Sequence, residues 1–167
     1  GFKKGDHIAI LIPNSPEFLF CYFGAMKAGM VAVTLNTLLK ADELEYVIND
    51  SDAVAICTTA QYRKMLDSIW RNLGNIGKTI LTGESVPDAY PNSVLLNDLV
   101  EKGKKDFSVK VESSDNASII YTSGTTGHPK GVILTHANIL YNSFVAFQMI
   151  DLRPEDTALC IMPLFHV

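Results

Sequence analysis

The spacing of apolar residues changes repeatedly along the chain between two patterns. Short continuous apolar runs are typical of strands that are buried on both faces. Apolar positions that recur every three or four residues indicate helices instead. The predicted strands are residues 7–12, 30–35, 53–57, 78–81, 117–122 and 158–162. The predicted helices are about 16–28, 41–49, 62–73 and 136–150.

Strands and helices therefore alternate with short connections, which favours an α/β fold with a layered, mostly parallel sheet flanked by helices. The first helix has a clear start, because Ser15 can serve as N-cap and Pro16 fits the first helical position. Within this helix we expect the aromatic cluster Phe18, Tyr22 and Phe23 to belong to the core. The spacing of apolar residues is least regular at 82–114, where only 94–100 predicts a turn or two of helix. The residues 131–135 are predicted to form an extended segment.

One stretch, "YTSGTTGHPKGV" at 121–132, fits neither pattern. Serine and threonine compete for backbone hydrogen bonds in a helix, and glycine weakens helix and strand interiors alike, so we interpret the stretch as a loop that follows a strand. Backbone N–H groups, hydroxyls and the cation of Lys130 together suit a polyphosphate ligand. The stretch is neither a Walker A motif nor GxGxxG. A plain surface linker is the alternative.

Composition narrows the function classes. The chain has 167 residues, 47% hydrophobic and 19% charged, and a net charge of −4, which predicts one globular domain. Its basic residues are scattered, so a nucleic-acid footprint is not expected. The most apolar region, 18–35, contains Lys27 and two glycines, and no transmembrane segment is predicted. We expect a cytoplasmic protein and leave peripheral association with a membrane open.

The three cysteines, Cys21, Cys57 and Cys160, lie far apart among apolar neighbours. No two of them have the spacing of a metal site or a redox motif, and the four histidines lack ligand spacing as well. We predict that all three are buried, reduced thiols.

The loop "YTSGTTGHPKGV" resembles the phosphate-binding signature of the adenylate-forming superfamily, which includes acyl- and aryl-CoA synthetases and amino-acid adenylation domains. The resemblance extends along the chain through "GDHIAILIPNSPEF", "GAMKAGMVAVTLN", "ELEYVINDSDA" and the closing "PLFHV". It implies the fold of part of the large N-terminal domain of an acyl-CoA synthetase-like enzyme. It also implies an enzyme that joins a fatty or aryl carboxylic acid to ATP, giving an acyl-adenylate, and then to the thiol of CoA.

The resemblance also assigns roles to particular residues. It implies that Mg²⁺ lies close to Thr122 in some relatives, that His166 lies beside the acyl substrate, and that His128 occupies a variable position without a chemical role. The implied contacts to the nucleotide phosphates are Thr122, Ser123, Gly124, Thr125, Thr126, Gly127 and Lys130.

From the resemblance we expect residues 1–167 to be a partial N-terminal AMP-binding domain, truncated at both ends and without the C-terminal domain that carries a catalytic lysine. No catalytic set is then complete, and we expect the chain to be inactive alone. Uncovered sheet edges and apolar helix faces would favour homo-oligomers or aggregates. "PLFHV" favours an acid–CoA ligase; an amino-acid-activating domain and a non-catalytic binding module that kept the fold are the alternatives.

Overall fold

Strands from the whole length of the chain form one sheet in the computed structural model, which describes residues 1–83, 90, 92–103, 109–122, 128–150, 153 and 155–166. The strands of the described part are β1 (His7–Leu11), β2 (Val31–Thr34), β3 (Ala55–Thr59), β4 (Lys78–Thr82), β5 (Ser93–Leu95), β6 (Asn116–Thr122) and β7 (Lys130–Thr135).

The strand order is β5-β4-β3-β1-β2-β6-β7. Every neighbouring pair is parallel except β6 and β7, which are antiparallel. The predicted mostly parallel α/β sheet is therefore confirmed. Because the parallel strands point the same way, the carboxyl ends of β1, β2 and β6 meet at one edge, which we call the carboxyl edge.

Helices cover both faces of this sheet. They are α1 (Pro16–Lys27), α2 (Ala41–Asp50), α3 (Arg63–Ile69), α4 (Leu96–Lys102) and α5 (His136–Met149), and 3₁₀ turns flank α3 on both sides. The predicted start of α1 is confirmed: Pro16 is in the first turn, and the Ser15 hydroxyl accepts a hydrogen bond from the backbone N–H of Phe18 at 3.4 Å. No described helix has the length and apolar character that crossing a membrane requires.

Alternate residues of the central strands pack on opposite faces. Ile8 and Ile10 of β1 contribute to a core under α1, whereas Ala9 and Leu11 contribute to a second core under α2 and α3. This division explains why the strands read as continuous apolar runs, since both sides of the sheet are covered. The side chain of Phe18 in α1 is fully buried in the core beneath this helix.

Two predictions about individual side chains were wrong. Phe23 is 57% exposed because it lies on the outer side of α1, although its ring contacts Tyr22 edge to face. Cys160 is exposed, whereas Cys21 and Cys57 are buried as predicted. The turn or two of helix predicted within 94–100 is confirmed as α4 at Leu96–Lys102, and it is preceded by the short strand β5, in which Val94 pairs with Ile80 of β4.

The prediction of a strand at 158–162 is also wrong. The segment is not paired with the sheet, and Leu159 and Ile161 are 84% and 76% exposed. An apolar run forms a strand only when a neighbour supplies hydrogen bonds, and the edge beyond β6 is taken by β7. The chain instead passes across the carboxyl edge.

Candidate functional site

A crevice lies at the carboxyl edge beside the end of β2, between α2 and the end of β6. The loop after β1 leads to α1 on one face of the sheet, and the loop after β2 leads to α2 on the other. Loops that leave neighbouring strands toward opposite faces leave a gap between them, and ligands of open α/β sheets bind in such gaps. The site is built here from residues at the ends of β2 and β6, from α2 and from the segment that contains His166.

Two polar side chains hold the segment 162–166 over this crevice. The Asn14 amide donates to the carbonyl of Met162 at 2.9 Å and accepts from the backbone N–H of Leu164 at 2.7 Å. The Thr34 hydroxyl donates to the carbonyl of Phe165 at 3.0 Å. A short 3₁₀ turn at Leu164–His166 is fixed by these bonds, and it brings His166 to the mouth of the crevice.

His166 lines a cavity of about 240 Å³ together with Thr122 and Pro129. The family resemblance implies that Thr122 lies near the phosphates and metal and that His166 lies near the acyl group. The fold brings these two residues to one cavity. Asn36 and Glu43 line it as well, and a Glu43 carboxylate oxygen accepts the backbone N–H of Lys40 at 2.8 Å.

The glycine-rich loop connects the two strands of a hairpin. Thr122 ends β6 and pairs with Lys130, the first residue of β7. Both residues are exposed, and among the described residues Lys130 has no ion pair. The predicted phosphate contacts between them, Ser123, Gly124, Thr125, Thr126 and Gly127, lie outside the described residues.

Helix α2 contacts both ends of this hairpin loop. The Tyr121 phenol donates to an Asp50 carboxylate oxygen at 2.6 Å, and the Tyr46 ring stacks on the His128 ring with centroids 4.6 Å apart. Burial, followed by the hydrogen bond and the negative charge of Asp50, raises the pKa of Tyr121. Tyr121 therefore carries a neutral phenol at the edge of the cavity over the physiological pH range.

Sequence reasoning missed several of these residues. Asn14, Thr34 and Asn36 could have been found, since a polar residue at or just after a buried strand of an α/β sheet faces the ligand edge. Nothing in the sequence marks Tyr46 and Asp50 as site residues, because both lie at positions of α2 that are typical of a solvated helix face.

The arrangement suits an anionic ligand with a neighbouring apolar group. The cavity offers the hydroxyl of Thr122 and the imidazole of His166 around partly apolar walls. Lys130, which has no ion pair among the described residues, follows Pro129 of the cavity wall. The described residues contain no cluster of three or more acidic, histidine or cysteine groups, so they form no self-sufficient metal site.

Comparison with known proteins identifies relatives for the whole chain. The sequence profile of a family described as AMP-binding enzyme matches residues 1–167. A crotonobetaine/carnitine–CoA ligase of Salmonella paratyphi A is 33% identical over 170 residues, which cover 100% of this chain and 33% of that protein. The corresponding ligase of Escherichia coli O127:H6 is 32% identical with the same coverage.

Solved structures give the same result. A long-chain-fatty-acid–CoA ligase (FadD1) of Archaeoglobus fulgidus matches with a TM-score of 0.87 and 32% identity, over 99% of this chain and 32% of that one. The N-terminal domain of FACL13 from Mycobacterium tuberculosis matches with a TM-score of 0.85 and 34% identity, over 99% and 40%. The chain spans about a third of the length of the curated relatives.

Proposed function

Because this chain belongs to the AMP-binding enzyme family, we propose that it carries part of the site at which an acid–thiol ligase activates a carboxylic acid with ATP. The observation that carries this proposal is that Thr122 and His166 line one cavity at the carboxyl edge and that Lys130 pairs with Thr122 across the hairpin. The relatives that match this chain over 99–100% of its length are CoA ligases, which supports the same class of reaction for the protein that contains this chain.

In this reaction an oxygen of the acid attacks the α-phosphorus of ATP, and pyrophosphate leaves. The protein must stabilise the negative charge on the transferring phosphoryl group and on the leaving pyrophosphate. Lys130 is our candidate for the electrostatic part of this task, since it is exposed beside Thr122 and has no ion pair among the described residues. Ser123 to Gly127 would supply backbone N–H groups and hydroxyls.

Magnesium fits this site only together with the nucleotide. Mg²⁺ prefers oxygen ligands and is often held by one or two protein groups plus substrate phosphates. Thr122 offers such an oxygen, whereas the described residues hold no acidic cluster that would bind the ion alone. We therefore propose Thr122 as the protein ligand nearest to Mg²⁺. The bound ion would neutralise phosphate charge.

His166 is our candidate for contact with the acid. Its segment is held by Asn14 and Thr34, so the imidazole has a defined position at the cavity that Thr122 also lines. A fatty or aryl acid placed there would lie beside the phosphates. Transfer of the acyl group to the thiol of CoA would follow in the same protein.

We assign residues 1–167 to part of an N-terminal AMP-binding domain. Since the chain spans about a third of its curated relatives, we propose that residues for the remaining steps, including a C-terminal catalytic lysine, belong to further sequence. The relatives described above support acid–CoA ligation over activation of an amino acid. A non-catalytic module would lack exchange with every acid.

The test is ATP–pyrophosphate exchange with a panel of fatty, aryl and amino acids, on the longest natural protein that contains this chain. We expect exchange with at least one fatty or aryl acid and formation of its CoA thioester. Exchange with amino acids only, or with no acid, would refute the proposal. The 167-residue chain assayed alone is expected to give no exchange.

A further inference from the structure

The ring of Tyr46 joins α2 to the chain that precedes β7. It stacks on the His128 ring, with centroids 4.6 Å apart and ring planes inclined by 24°. His128 is exposed, whereas Tyr46 is half-buried and packs against the core beneath α2. The stack therefore fastens an exposed side chain to one that the core holds in place.

Helix α2 is a firm support for this ring. The residues that fix the helix on the sheet are at most 1% exposed: Leu44, Val47 and Ile48. The Tyr46 phenol also donates to an Asp50 carboxylate oxygen, but at 3.4 Å this hydrogen bond is long. The face of the ring, rather than its hydroxyl, is therefore the part of Tyr46 that holds its neighbour.

The stack lies one residue from the candidate site. His128 is followed by Pro129, which lines the site cavity. Lys130 comes next and pairs with Thr122 across the hairpin. Proline fixes its own φ and restricts the residue before it. A position set at His128 is therefore passed on to the cavity wall and to Lys130 with little freedom.

We propose that Tyr46 is a positioning residue, which holds the His128 end of the hairpin in the arrangement that receives the phosphates of ATP. This inference rests on the proposed function, since it concerns the same phosphate site. Tyr46 is not among the described residues that line the cavity, so it acts through His128.

Such a residue acts on the free protein more than on the reaction. It raises the fraction of molecules that are arranged for binding, and the apparent affinity for ATP rises with that fraction. Once ATP is bound, its phosphates hold the hairpin themselves. Loss of the stack should therefore raise KM for ATP and leave kcat nearly unchanged.

The test measures initial rates of CoA-thioester formation at varied ATP, on the longest natural protein that contains this chain. Tyr46→Leu removes the ring and is expected to raise KM for ATP about 2- to 10-fold, the range of one aromatic contact, with kcat changed less than about twofold. Tyr46→Phe keeps the ring and should restore KM to within about twofold of the unmodified protein.

Two further variants guard against an effect on folding. His128→Ala should raise KM for ATP as Tyr46→Leu does, and it leaves the core intact because His128 is exposed. The double variant should raise KM no further than either single one, since both remove the same contact. Asn49→Ala is the matched control, because Asn49 is exposed on α2 and donates to the carbonyl of Asn72 instead. It should leave KM unchanged.

Hydrogen–deuterium exchange supplies a readout that needs no activity. Tyr46→Leu should speed amide exchange in the peptide 128–135 about 2- to 10-fold and leave the peptide of α1 unchanged. Unchanged exchange at 128–135, an unchanged KM for ATP in an active protein, or a loss in kcat as large as that in kcat/KM would overturn the proposal. An unmodified protein that forms no thioester would refute the proposed function, and amide exchange alone would then decide whether Tyr46 positions the hairpin.

Discussion

The phenol of Tyr121 donates a hydrogen bond of 2.6 Å to Asp50 and joins the end of β6 to the last residue of α2. The other carboxylate oxygen of Asp50 accepts from the Tyr46 phenol at 3.4 Å, and the Tyr46 ring stacks on His128. Helix α2 thus contacts the chain on both sides of the glycine-rich loop. We infer that α2 positions the two segments, at Tyr121 and His128, that flank the glycine-rich loop.

Removing this hydrogen bond should weaken the fold. Tyr121→Phe and Asp50→Ala are each expected to lower the free energy of unfolding by about 1 kcal/mol, the usual net contribution of such a bond. The double variant should lose less than the sum, because both changes remove one interaction. Urea denaturation checks this, with Tyr141→Phe on the exposed surface of α5 as the control. Strict additivity would show that the two residues are not coupled.

Stability should fall at alkaline pH. Burial, the hydrogen bond to Asp67 and its charge raise the pKa of Tyr90, and Tyr121 is raised in the same way by Asp50, both from an ordinary value of 10.0. Above that pH the unfolded chain releases these protons while the folded chain keeps them. Since the folded state then binds more protons, the free energy of unfolding decreases as pH rises.

The measurement is urea denaturation from about pH 8 to about pH 11. Tyr90→Phe and Tyr121→Phe should each flatten the decrease above pH 10, whereas Tyr141→Phe should leave it unchanged. Comparing how the unfolding free energy of each variant changes with pH distinguishes the contribution of these two phenols from that of other groups. Identical slopes in all proteins would contradict the assignment.

Activity should depend on Lys130. In the longest natural protein that contains this chain, Lys130→Ala is expected to lower kcat/KM for ATP about 10²-fold, because one charge-stabilising group is lost. Lys130→Arg should retain more activity, since it keeps the charge. Lys64→Ala, an exposed lysine on α3, is the matched control. Equal activity of the Lys130→Ala and Lys64→Ala proteins would argue against the phosphate role.

Two of the three phenylalanines of α1, Phe18 and Phe23, should differ sharply in their contribution to stability. Phe18 is fully buried and Phe23 is 57% exposed. Phe18→Ala should cost about 3–5 kcal/mol of unfolding free energy through lost burial and a cavity. Phe23→Ala should cost less than about 1 kcal/mol, mainly through its contact with Tyr22. Thermal or urea unfolding of the two variants provides the comparison, and equal costs would refute it.

The isolated chain should self-associate. Helix α5 exposes a row of large apolar side chains, among them Leu140, Tyr141 and Phe144, at 65%, 72% and 60%. Contiguous apolar surface of this kind favours association. Light scattering at moderate concentration is expected to show dimers or larger species, and the double variant Leu140→Glu/Phe144→Glu should shift them toward monomer. A sharp monomer peak for the unmodified chain would contradict this.

Local sequence patterns predicted the structure correctly where it depends only on residues that are close together in the sequence. Ser15 and Pro16 start α1 as predicted, because capping uses only the next few residues. The apolar run at 158–162 was misleading, because strand formation also requires a partner that no local pattern reveals. The short β5 was missed for the same reason, since its pairing with β4 joins residues far apart in sequence.

By itself, the sequence determined the α/β class, the order of most elements, the family resemblance and the loop at 121–132, since each depends on spacing or on a contiguous motif. Only the tertiary structure decided that Thr122 and His166 share a cavity and that the Tyr121 phenol donates a hydrogen bond to Asp50. These contacts join elements distant in sequence. They arise from strand order and helix packing, which hydrophobic spacing alone does not encode.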